Sequence, residues 1–323
     1  MAVPVILDVD TGVDDAMALL LAVRSPALEL RGVTCVAGNA GLEPVVANTL
    51  KVLDIAGAPA DLPVAAGATR PLVDPPYLTD PLARRGAEHI HGADGMADLG
   101  LPVSKRTVDP RSAVTLLRDL LCGADRKITL VSLAPMTNIA MLLRTHPDVL
   151  ESIERIVVMG GSAGGGNVTA VAEFNVFADP EAAAVVLGAA VPITLYGLDV
   201  FYSVRVPAAE IEALLASDLE SARLAGRLLQ HRLLAGGESA EIGDAGAVAA
   251  VIAPDGLGVE RLAVRVELDG RYTRGQTVVD RRSAQNSRED PYRAFPAPVL
   301  DVALRVAADR YVQIFLDALK TPL

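Results

Sequence analysis

The stretch VILDVDTGVDDAMAL, residues 5–19, contains the change from strand to helix that decides the fold. Its apolar first half predicts a buried strand over Val3–Val9, and DDAMALLLAVR predicts a helix over Asp14–Arg24. Gly12 lies between the two and supplies a tight turn. A buried strand that passes directly into a helix is the repeating unit of a parallel α/β sheet.

Four carboxylates, Asp8, Asp10, Asp14 and Asp15, crowd this turn. Helix capping accounts for one or two of them, since a carboxylate at a helix N-terminus contributes about 0.3–1 kcal/mol. Four converging carboxylates repel one another, and their pKa values rise unless a cation lies among them. The cluster therefore predicts a metal site, and an all-oxygen, flexible ligand set favours Ca²⁺ over Mg²⁺.

The same alternation of strand and helix continues along the chain. Runs that are apolar on both faces predict a parallel sheet covered by helices on both sides. We find no repeat and no low-complexity linker, so we expect a single α/β domain over residues 1–323, with a mostly parallel central sheet flanked by helices. The further predicted strands are Leu28–Val36, Ile128–Ser132, Arg155–Met159, Pro192–Tyr196 and Leu262–Leu268, and the further helices are Glu43–Ala56, Ser112–Leu121, Pro135–Thr145 and Pro180–Gly188.

Two segments interrupt this pattern. Residues 68–109 are rich in Pro, Asp and Gly, and residues 205–243 are predicted to be helical before AGGESAEIGD leads to Asp244. Long irregular segments in such folds often form lids or pocket walls. Because ligands bind beyond the carboxyl ends of the strands in open α/β sheets, the residues at those ends are the site candidates.

The composition excludes several classes of partner. The 323 residues include 29 basic and 40 acidic side chains, which leave a net charge of −11. An acidic surface repels phosphate backbones and anionic lipids, so we expect neither nucleic-acid nor membrane binding. The first residues lack the basic region of a signal peptide, and the two cysteines lack metal-ligand spacing, so we expect a cytoplasmic protein.

Two phosphate-directed alternatives fit the motifs poorly. Haloacid-dehalogenase-type phosphatases also carry DxD after the first strand, but their Thr or Val comes two positions after the second Asp. Here Thr11 follows Asp10 directly. The glycine-rich MGGSAGGGN, residues 159–167, lacks both the GK[ST] ending and the GxGxxG spacing of phosphate-binding loops.

DVDTGVDDAMA, residues 8–18, resembles DxDxGxDDA, the N-terminal signature of the inosine–uridine-preferring nucleoside hydrolases. Further blocks follow in the order of that family: VAGN ending at Asn39, IHGADG with His91–Gly95, SLAPMTNIA at Ser132–Ala140, MGG at Met159–Gly161, GNVTAVAEFNVFADPEAA at Gly166–Ala183, and GD at Gly243–Asp244. The resemblance implies an enzyme that hydrolyses ribonucleosides to ribose and free base with bound Ca²⁺. It also implies a homodimer or homotetramer.

The resemblance further implies a role for each site residue. Asp10 would be both a metal ligand and the general base that deprotonates the metal-bound water. Asp15, Asp244 and the backbone carbonyl of Leu133 would be the other ligands. Asp14, assisted by Asn39, would accept a ribose hydroxyl proton. The remaining substrate-binding residues would be His91, Met159, Asn167, Glu173 and Asn175. For Glu173 and Asn175 there is an independent reason, because residues two apart in an extended segment face the same way.

The sequence departs from the family at Gly243. Purine-accepting members have a His at this position that protonates the leaving base, and glycine has no side chain to do so. Arg227 and His231, which share a helix face at i,i+4, are possible leaving-group contacts, and Glu241 and Tyr202 are weaker candidates. The base preference stays open between a pyrimidine and a modified base, and Gly243→His is expected to improve purine release. A nucleoside-binding protein without turnover is the rival hypothesis.

Overall fold

The computed structural model describes residues 1–74, 94–233, 238–282 and 297–321. Within these residues, eleven strands are present. They are β1 (Val3–Val9), β2 (Leu28–Cys35), β3 (Val64–Ala66), β4 (Ile128–Ser132), β5 (Ile153–Met159), β6 (Ile193–Tyr196), β7 (Arg205–Pro207), β8 (Ser239–Glu241), β9 (Leu257–Val266), β10 (Thr277–Asp280) and β11 (Val299–Val306).

Nine of these strands form one sheet in the order β10-β9-β11-β6-β5-β4-β1-β2-β3, counting the described residues. The strands from β11 through β6, β5, β4, β1 and β2 to β3 run parallel to their neighbours. At the other end, β9 is antiparallel to both β11 and β10. β7 and β8 form a separate antiparallel pair. The predicted fold class, a mostly parallel sheet flanked by helices, is confirmed.

Helices cover both faces of the sheet. In chain order they are α1 (Val13–Arg24), α2 (Leu42–Ala56), α3 (Ala113–Cys122), α4 (Thr137–Thr145), α5 (Phe174–Ala178), α6 (Pro180–Leu187), α7 (Leu198–Phe201), α8 (Ala208–Leu215), α9 (Glu220–Leu233), α10 (Ala245–Ile252) and α11 (Ala308–Lys320).

The core is divided into two layers by the alternation of side chains along each strand. In β1, Val5, Leu7 and Val9 pack with α1, α2, α9, α10 and α11 on one face. Ile6 points to the other face and packs with α3, α4 and α6. Because both faces are buried, the central strands are mainly apolar, and the sequence shows long apolar runs there.

The predicted elements agree best in the centre of the sheet. β1 and β4 have the predicted bounds, and α1 begins one residue earlier than predicted. The strand predicted over Leu262–Leu268 is the second half of a longer strand, Leu257–Val266, and it runs antiparallel. The predicted helical segment 205–243 contains α8 and α9 between the short strands β7 and β8. Much of the irregular segment 68–109 lies outside the described residues.

The register of the central strands brings their carboxyl ends to one edge. Asp8 pairs in register with Thr34 of β2 and with Ser132 of β4, and Ser132 pairs with Val158 of β5. The residues that follow each of these positions therefore lie along the same edge of the sheet. Among the described residues, no helix is both long enough and apolar enough to span a bilayer.

Candidate active site at the carboxyl edge of the sheet

Predicted site residues follow four neighbouring strands at this edge. Asp10 comes directly after β1, Asn39 follows β2, Leu133 comes directly after β4, and Met159 is the last residue of β5. Asp10, Leu133 and Met159 are buried, and Asn39 is half-buried.

Asp10 is held from one side only. Its Oδ2 accepts the backbone N–H of Asn39 at 2.6 Å. Gly38 permits this approach, because a Cβ on Gly38 would lie 2.9 Å from Asp10 Cγ and 2.9 Å from Pro135 Cδ. Asp10 Oδ1 is buried and has no hydrogen-bond partner in the described part of the chain. Burial, followed by the neighbouring carboxylate of Asp15, raises the pKa of Asp10 well above its ordinary value.

Asp15 combines a capping role with a place in the cluster. Its carboxylate accepts the backbone N–H of Asp10 at 3.2 Å and that of Gly12 at 3.1 Å, so it closes the turn between β1 and α1. The side-chain amide of Asn39 lies 3.4 Å from Asp15 Oδ2. Burial raises the pKa of Asp15 to about 7 even though these backbone donors lower it. The capping interpretation of the sequence therefore holds for Asp15 without removing it from the acidic site.

Asp244 reaches the same place from the start of α10. It is 4% exposed, and its pKa is raised well above the ordinary value by burial and then by the carboxylates of Asp15, Asp14 and Asp10. The fold thus brings together acidic residues from the first and the last thirds of the chain.

The donors at this edge fit a divalent cation. Over the described ranges, no three acidic, His or Cys side chains are drawn into a closed metal cage. Nevertheless, Asp10, Asp15 and Asp244 are buried carboxylates that repel one another, and Asp10 Oδ1 is unpartnered among the described atoms. The carbonyl of Leu133 accepts Asn175 Nδ2 at 2.9 Å and retains a second lone pair. Oxygen donors and uncompensated negative charge are what a hard divalent ion requires.

Asp14 lies in a different environment from its neighbour Asp15. Its Oδ2 is paired with Arg232 Nη2 of α9, and Arg232 Nη1 also donates to Glu241 Oε1 at 2.6 Å. Asp14 Oδ1 is buried and has no partner in the residues described. Burial raises the pKa of Asp14, while the Arg232 guanidinium lowers it.

The residues predicted to hold the sugar form a second group. Glu173 caps α5, and its two carboxylate oxygens accept the backbone N–H groups of Gly161 at 2.9 Å, Asn175 at 2.9 Å and Val176 at 3.2 Å. Asn175 Nδ2 donates to the Leu133 carbonyl and, at 3.2 Å, to the Met159 carbonyl. Both Glu173 and Asn175 are buried, and Asn175 links the Leu133 carbonyl, a predicted metal ligand, to residues that are predicted to hold the sugar.

The outer rim of this group is formed by Asn167 and Tyr202. Asn167 is exposed, and its Oδ1 accepts the backbone N–H of Phe174 at 3.0 Å. The Tyr202 hydroxyl interacts with the Asn167 side chain. Burial, and to a smaller extent the carboxylates of Glu241, Glu173 and Asp14, raise the pKa of Tyr202. The half-exposed aromatic ring of Tyr202 therefore lies near the carboxylates of Glu241, Glu173 and Asp14.

The contact that α9 makes with Asp14 comes from Arg232, a residue that was not among the predicted leaving-group contacts Arg227 and His231. Arg227 is exposed and donates to the Leu99 carbonyl at 3.1 Å, and His231 is half-buried. Arg232 is the α9 side chain that pairs with Asp14. Five residues along a helix correspond to a rotation of about 140°, so Arg227 and Arg232 face different directions. His91 lies outside the described residues.

Two sets of contacts that orient site residues were not predicted from the sequence: the hydrogen bonds that Asp8 accepts, and the pairing of Arg232 with Asp14. Asp8 is buried, and its Oδ1 accepts Thr34 Oγ1 at 2.6 Å and Asn138 Nδ2 at 2.8 Å. Burial raises the pKa of Asp8 to about 7. Asn138 also donates to the Cys35 carbonyl at 3.0 Å, and so joins the ends of β1 and β2 to α4. The TN pair within SLAPMTNIA was a signal for Asn138; Arg232 had no local signal beyond its place beside His231.

Known proteins match this fold and align with most of the length of this chain. A family model described as inosine-uridine preferring nucleoside hydrolase matches residues 5–313. Pyrimidine-specific ribonucleoside hydrolase RihA of Salmonella agona (strain SL483) is 37% identical over 286 residues, which cover 87% of this chain and 89% of that protein. A solved plant nucleoside hydrolase, PpNRh1, matches with a TM-score of 0.89 at 27% identity over 100% of both chains. A purine-preferring ribonucleoside hydrolase from Gardnerella vaginalis matches with a TM-score of 0.84 at 29% identity over 98% of each chain.

These matches, together with the parallel sheet and the acidic cluster at its carboxyl edge, define the class of protein. It is a class of enzymes that hydrolyse the N-glycosidic bonds of ribonucleosides. Within that class, the chain belongs to the inosine–uridine-preferring nucleoside hydrolase family. The family is generally metal-dependent.

Proposed function

We propose that this chain hydrolyses the N-glycosidic bond of ribonucleosides at the carboxyl edge of its sheet, and releases ribose and a free base. The observation that carries the proposal is the buried Asp10 carboxylate, whose Oδ1 has no partner within the described residues, beside Asp15 and Asp244. A buried, unpartnered carboxylate oxygen is costly unless a ligand completes its environment.

The cation that we propose for this site is Ca²⁺, held by the carboxylates of Asp10, Asp15 and Asp244 and by the carbonyl of Leu133. When bound, it offsets the repulsion among these carboxylates and lowers the pKa of a coordinated water. The support for Ca²⁺ is that every donor is an oxygen and that three buried carboxylates meet here, which suits a large, hard ion.

The roles of the surrounding side chains follow from their contacts. Asp10 accepts a proton from the attacking water through Oδ1, since Oδ2 is held by Asn39. Asp14 accepts a hydrogen bond from a ribose hydroxyl. The other sugar-directed residues are Asn39, Met159, Asn167, Glu173, Asn175 and, outside the described residues, His91. A group of carboxylates around the sugar also stabilises the positive charge that develops on the ribose ring as the bond breaks.

For the base, we propose a preference for pyrimidine ribonucleosides. Gly243 has no side chain to protonate a purine leaving group, and the relatives at 36–38% identity are named as pyrimidine-specific. Arg227 and His231 stay possible leaving-group contacts.

We also propose that the protein is a single domain over residues 1–323, and works in the cytoplasm as a homodimer or homotetramer. The oligomer rests on the family resemblance. The location is supported by the two free cysteines, because the exposed thiol of Cys122 is typical of a reducing compartment.

Release of reducing sugar from a panel of purine and pyrimidine ribonucleosides, with Ca²⁺ present, tests the function directly. We expect cleavage that is fastest with pyrimidines and that falls by about 10²-fold or more in Asp10→Ala, since a general base contributes about 10²–10⁴-fold. Turnover that persists in Asp10→Ala would remove Asp10 from its role as base. If no nucleoside on the panel is cleaved but ribonucleosides still bind, the protein is a binding protein instead.

A further inference from the structure

Arg232 joins two carboxylates at the edge of the acidic cluster. Its Nη2 donates to Asp14 Oδ2, and its Nη1 donates to Glu241 Oε1 at 2.6 Å. The other oxygen of Glu241 accepts Arg205 Nη1 at 2.8 Å, so Glu241 is itself anchored to β7. The Arg232 side chain is 10% exposed and that of Asp14 is 13% exposed. The pair is therefore shielded from solvent, where a guanidinium–carboxylate contact has a defined geometry.

The absence of a side chain at residue 243 makes this arrangement possible. Gly243 has a φ of +58°, a conformation that favours glycine. A Cβ on Gly243 would lie 2.7 Å from Asp14 Cγ and would overlap the carboxylate. A side chain at residue 243 and Asp14 in its present position therefore exclude each other. The Asp14 carboxylate lies where a side chain at residue 243 would begin, with Oδ1 towards Gly243 and Oδ2 paired with Arg232.

The contact with Arg232 occupies one carboxylate oxygen of Asp14 and leaves the other without a partner in the described residues. Oδ2 is occupied by Arg232, and Oδ1 is buried without a hydrogen-bond partner in the part of the chain that the structure describes. A buried acceptor in this state is satisfied when a donor arrives from a ligand. A sugar hydroxyl is a donor of the right kind for a carboxylate oxygen.

We propose that Arg232 is a positioning residue that determines sugar specificity: it holds Asp14 by Oδ2, so that Oδ1 is presented to a single ribose hydroxyl. This inference rests on the proposed function. It adds that Arg232 and Gly243 together make the site select nucleosides that carry that hydroxyl. A site that is arranged to hydrogen-bond a substrate hydroxyl discriminates strongly against the analogue that lacks it, because its buried polar group is then unpaired.

The alternative role for Arg232 is direct contact with the departing base. Its Nε is buried and has no partner among the described residues, so the Nε–H of the guanidinium is still available to a base. The two roles predict different coupling. A residue that acts through Asp14 loses its effect once Asp14 is disabled, whereas a residue that acts on the base does not.

A double-mutant cycle separates these roles. Asp14→Asn, Arg232→Met and the double variant are compared with the parent chain on uridine, 2′-deoxyuridine and 3′-deoxyuridine. Both kcat/KM and the Kd for each nucleoside are measured with Ca²⁺ present. Methionine keeps the apolar stem of arginine, and Arg232→Lys keeps the charge without the forked geometry. The control is Arg223→Met, because Arg223 lies on α9 and donates to the Ser217 carbonyl rather than to the acidic cluster.

We expect the parent chain to discriminate against one deoxy analogue, and Asp14→Asn to lose that discrimination. Arg232→Met is expected to lower kcat/KM for uridine by about 10²-fold, which is the effect of a misplaced substrate-positioning group. It is expected to narrow the gap to the same deoxy analogue, while the double variant resembles Asp14→Asn. Arg232→Lys should recover part of the discrimination, and Arg223→Met should leave it unchanged.

Three results would overturn the proposal: unchanged discrimination in Arg232→Met, effects of the two substitutions that multiply in the double variant, or a loss on all three nucleosides in equal proportion. Circular dichroism and the melting temperature identify a variant that fails to fold, and Arg232→Lys then takes its place in the cycle. If the parent chain cleaves no nucleoside, the proposed function fails, and the same cycle measured in Kd still tests whether Arg232 acts through Asp14.

Discussion

At the residue scale, two adjacent carboxylates have opposite surroundings. Asp15 accepts backbone N–H groups of the turn and faces the acidic cluster, whereas Asp14 is paired with Arg232. Consecutive residues in the first turn of a helix differ in direction by about 100°. The DD pair can therefore present one carboxylate to the proposed cation and the other to the proposed sugar.

Gly243 is the residue whose substitution tests this arrangement most directly. Gly243→Ala and Gly243→His are expected to lower activity, because the new Cβ displaces the Asp14 carboxylate. For Gly243→His, this loss opposes the gain in purine release that the sequence predicts, and that gain stays a prediction. The positive φ adds about 1 kcal/mol or more of strain. The rate of uridine hydrolysis and the free energy of unfolding measure the two effects.

A matched control separates strain from collision. Gly100 has a φ of +60°, and a Cβ there would meet nothing within 4 Å. Gly100→Ala should therefore share the loss of stability and retain full activity. If Gly243→Ala were as active as Gly100→Ala, the overlap of the new Cβ with Asp14 would have no effect on activity.

At the scale of elements, Asp179 joins three parts of the fold that support the site. Its Oδ1 accepts the Ala182 backbone N–H at 3.0 Å at the start of α6, and its Oδ2 accepts Thr137 Oγ1 of α4 at 2.6 Å and the Leu72 backbone N–H at 2.8 Å. Asp179 is buried. A residue with these contacts fixes the direction in which the chain leaves Glu173 and Asn175, which are proposed to bind the sugar.

Asp179→Ala is therefore expected to destabilise the protein more than the loss of an exposed cap. The substitution leaves buried donors unpaired, at about 1–3 kcal/mol for a group of this kind. Ser112→Ala, which removes the exposed cap of α3, should cost about 1 kcal/mol. Chemical denaturation of both variants measures the difference, and equal losses would show that the contacts to α4 and to Leu72 contribute nothing.

At the scale of the whole molecule, the acidic cluster is expected to couple stability to pH and to the proposed cation. Burial raises the pKa of Asp15 from 3.8 to about 7 in the folded, metal-free chain. A carboxyl whose pKa is raised on folding contributes stability that is fully present below pH 3.8 and is lost as the pH rises towards 7. The folded state holds protons in that window that the unfolded state has released.

In the presence of a chelator, the melting temperature should therefore fall between pH 5 and pH 7. The gain in melting temperature on adding Ca²⁺ should grow over the same range, because the ion binds the ionised carboxylates. At 100 times Kd, the gain corresponds to about 2.7 kcal/mol. At each pH, the difference between the melting temperatures with chelator and with Ca²⁺ removes the contribution of titrating groups that do not respond to the ion. A melting temperature that is insensitive to Ca²⁺ at pH 7 would contradict a bound cation.

The sequence by itself determined the central architecture of this protein. Continuous apolar runs predict β1, β4 and the helices beside them because both faces of a parallel sheet are buried, and the acidic turn at Asp8–Asp15 is a local pattern. β10 and β11 were not predicted, and β9 was only partly so, since these strands lie towards the partly exposed end of the sheet, where the apolar pattern is weaker.

Only the tertiary structure decided which distant side chains meet. Asp244 joins Asp10 and Asp15, and Arg232 reaches Asp14, because α9 and α10 pack against α1 on one face of the sheet. The helical period indicated that Arg227 and His231 share a face, but it does not say which face turns towards a helix far away in sequence. That choice depends on the packing of whole elements, as does the space at Gly243 that Asp14 occupies.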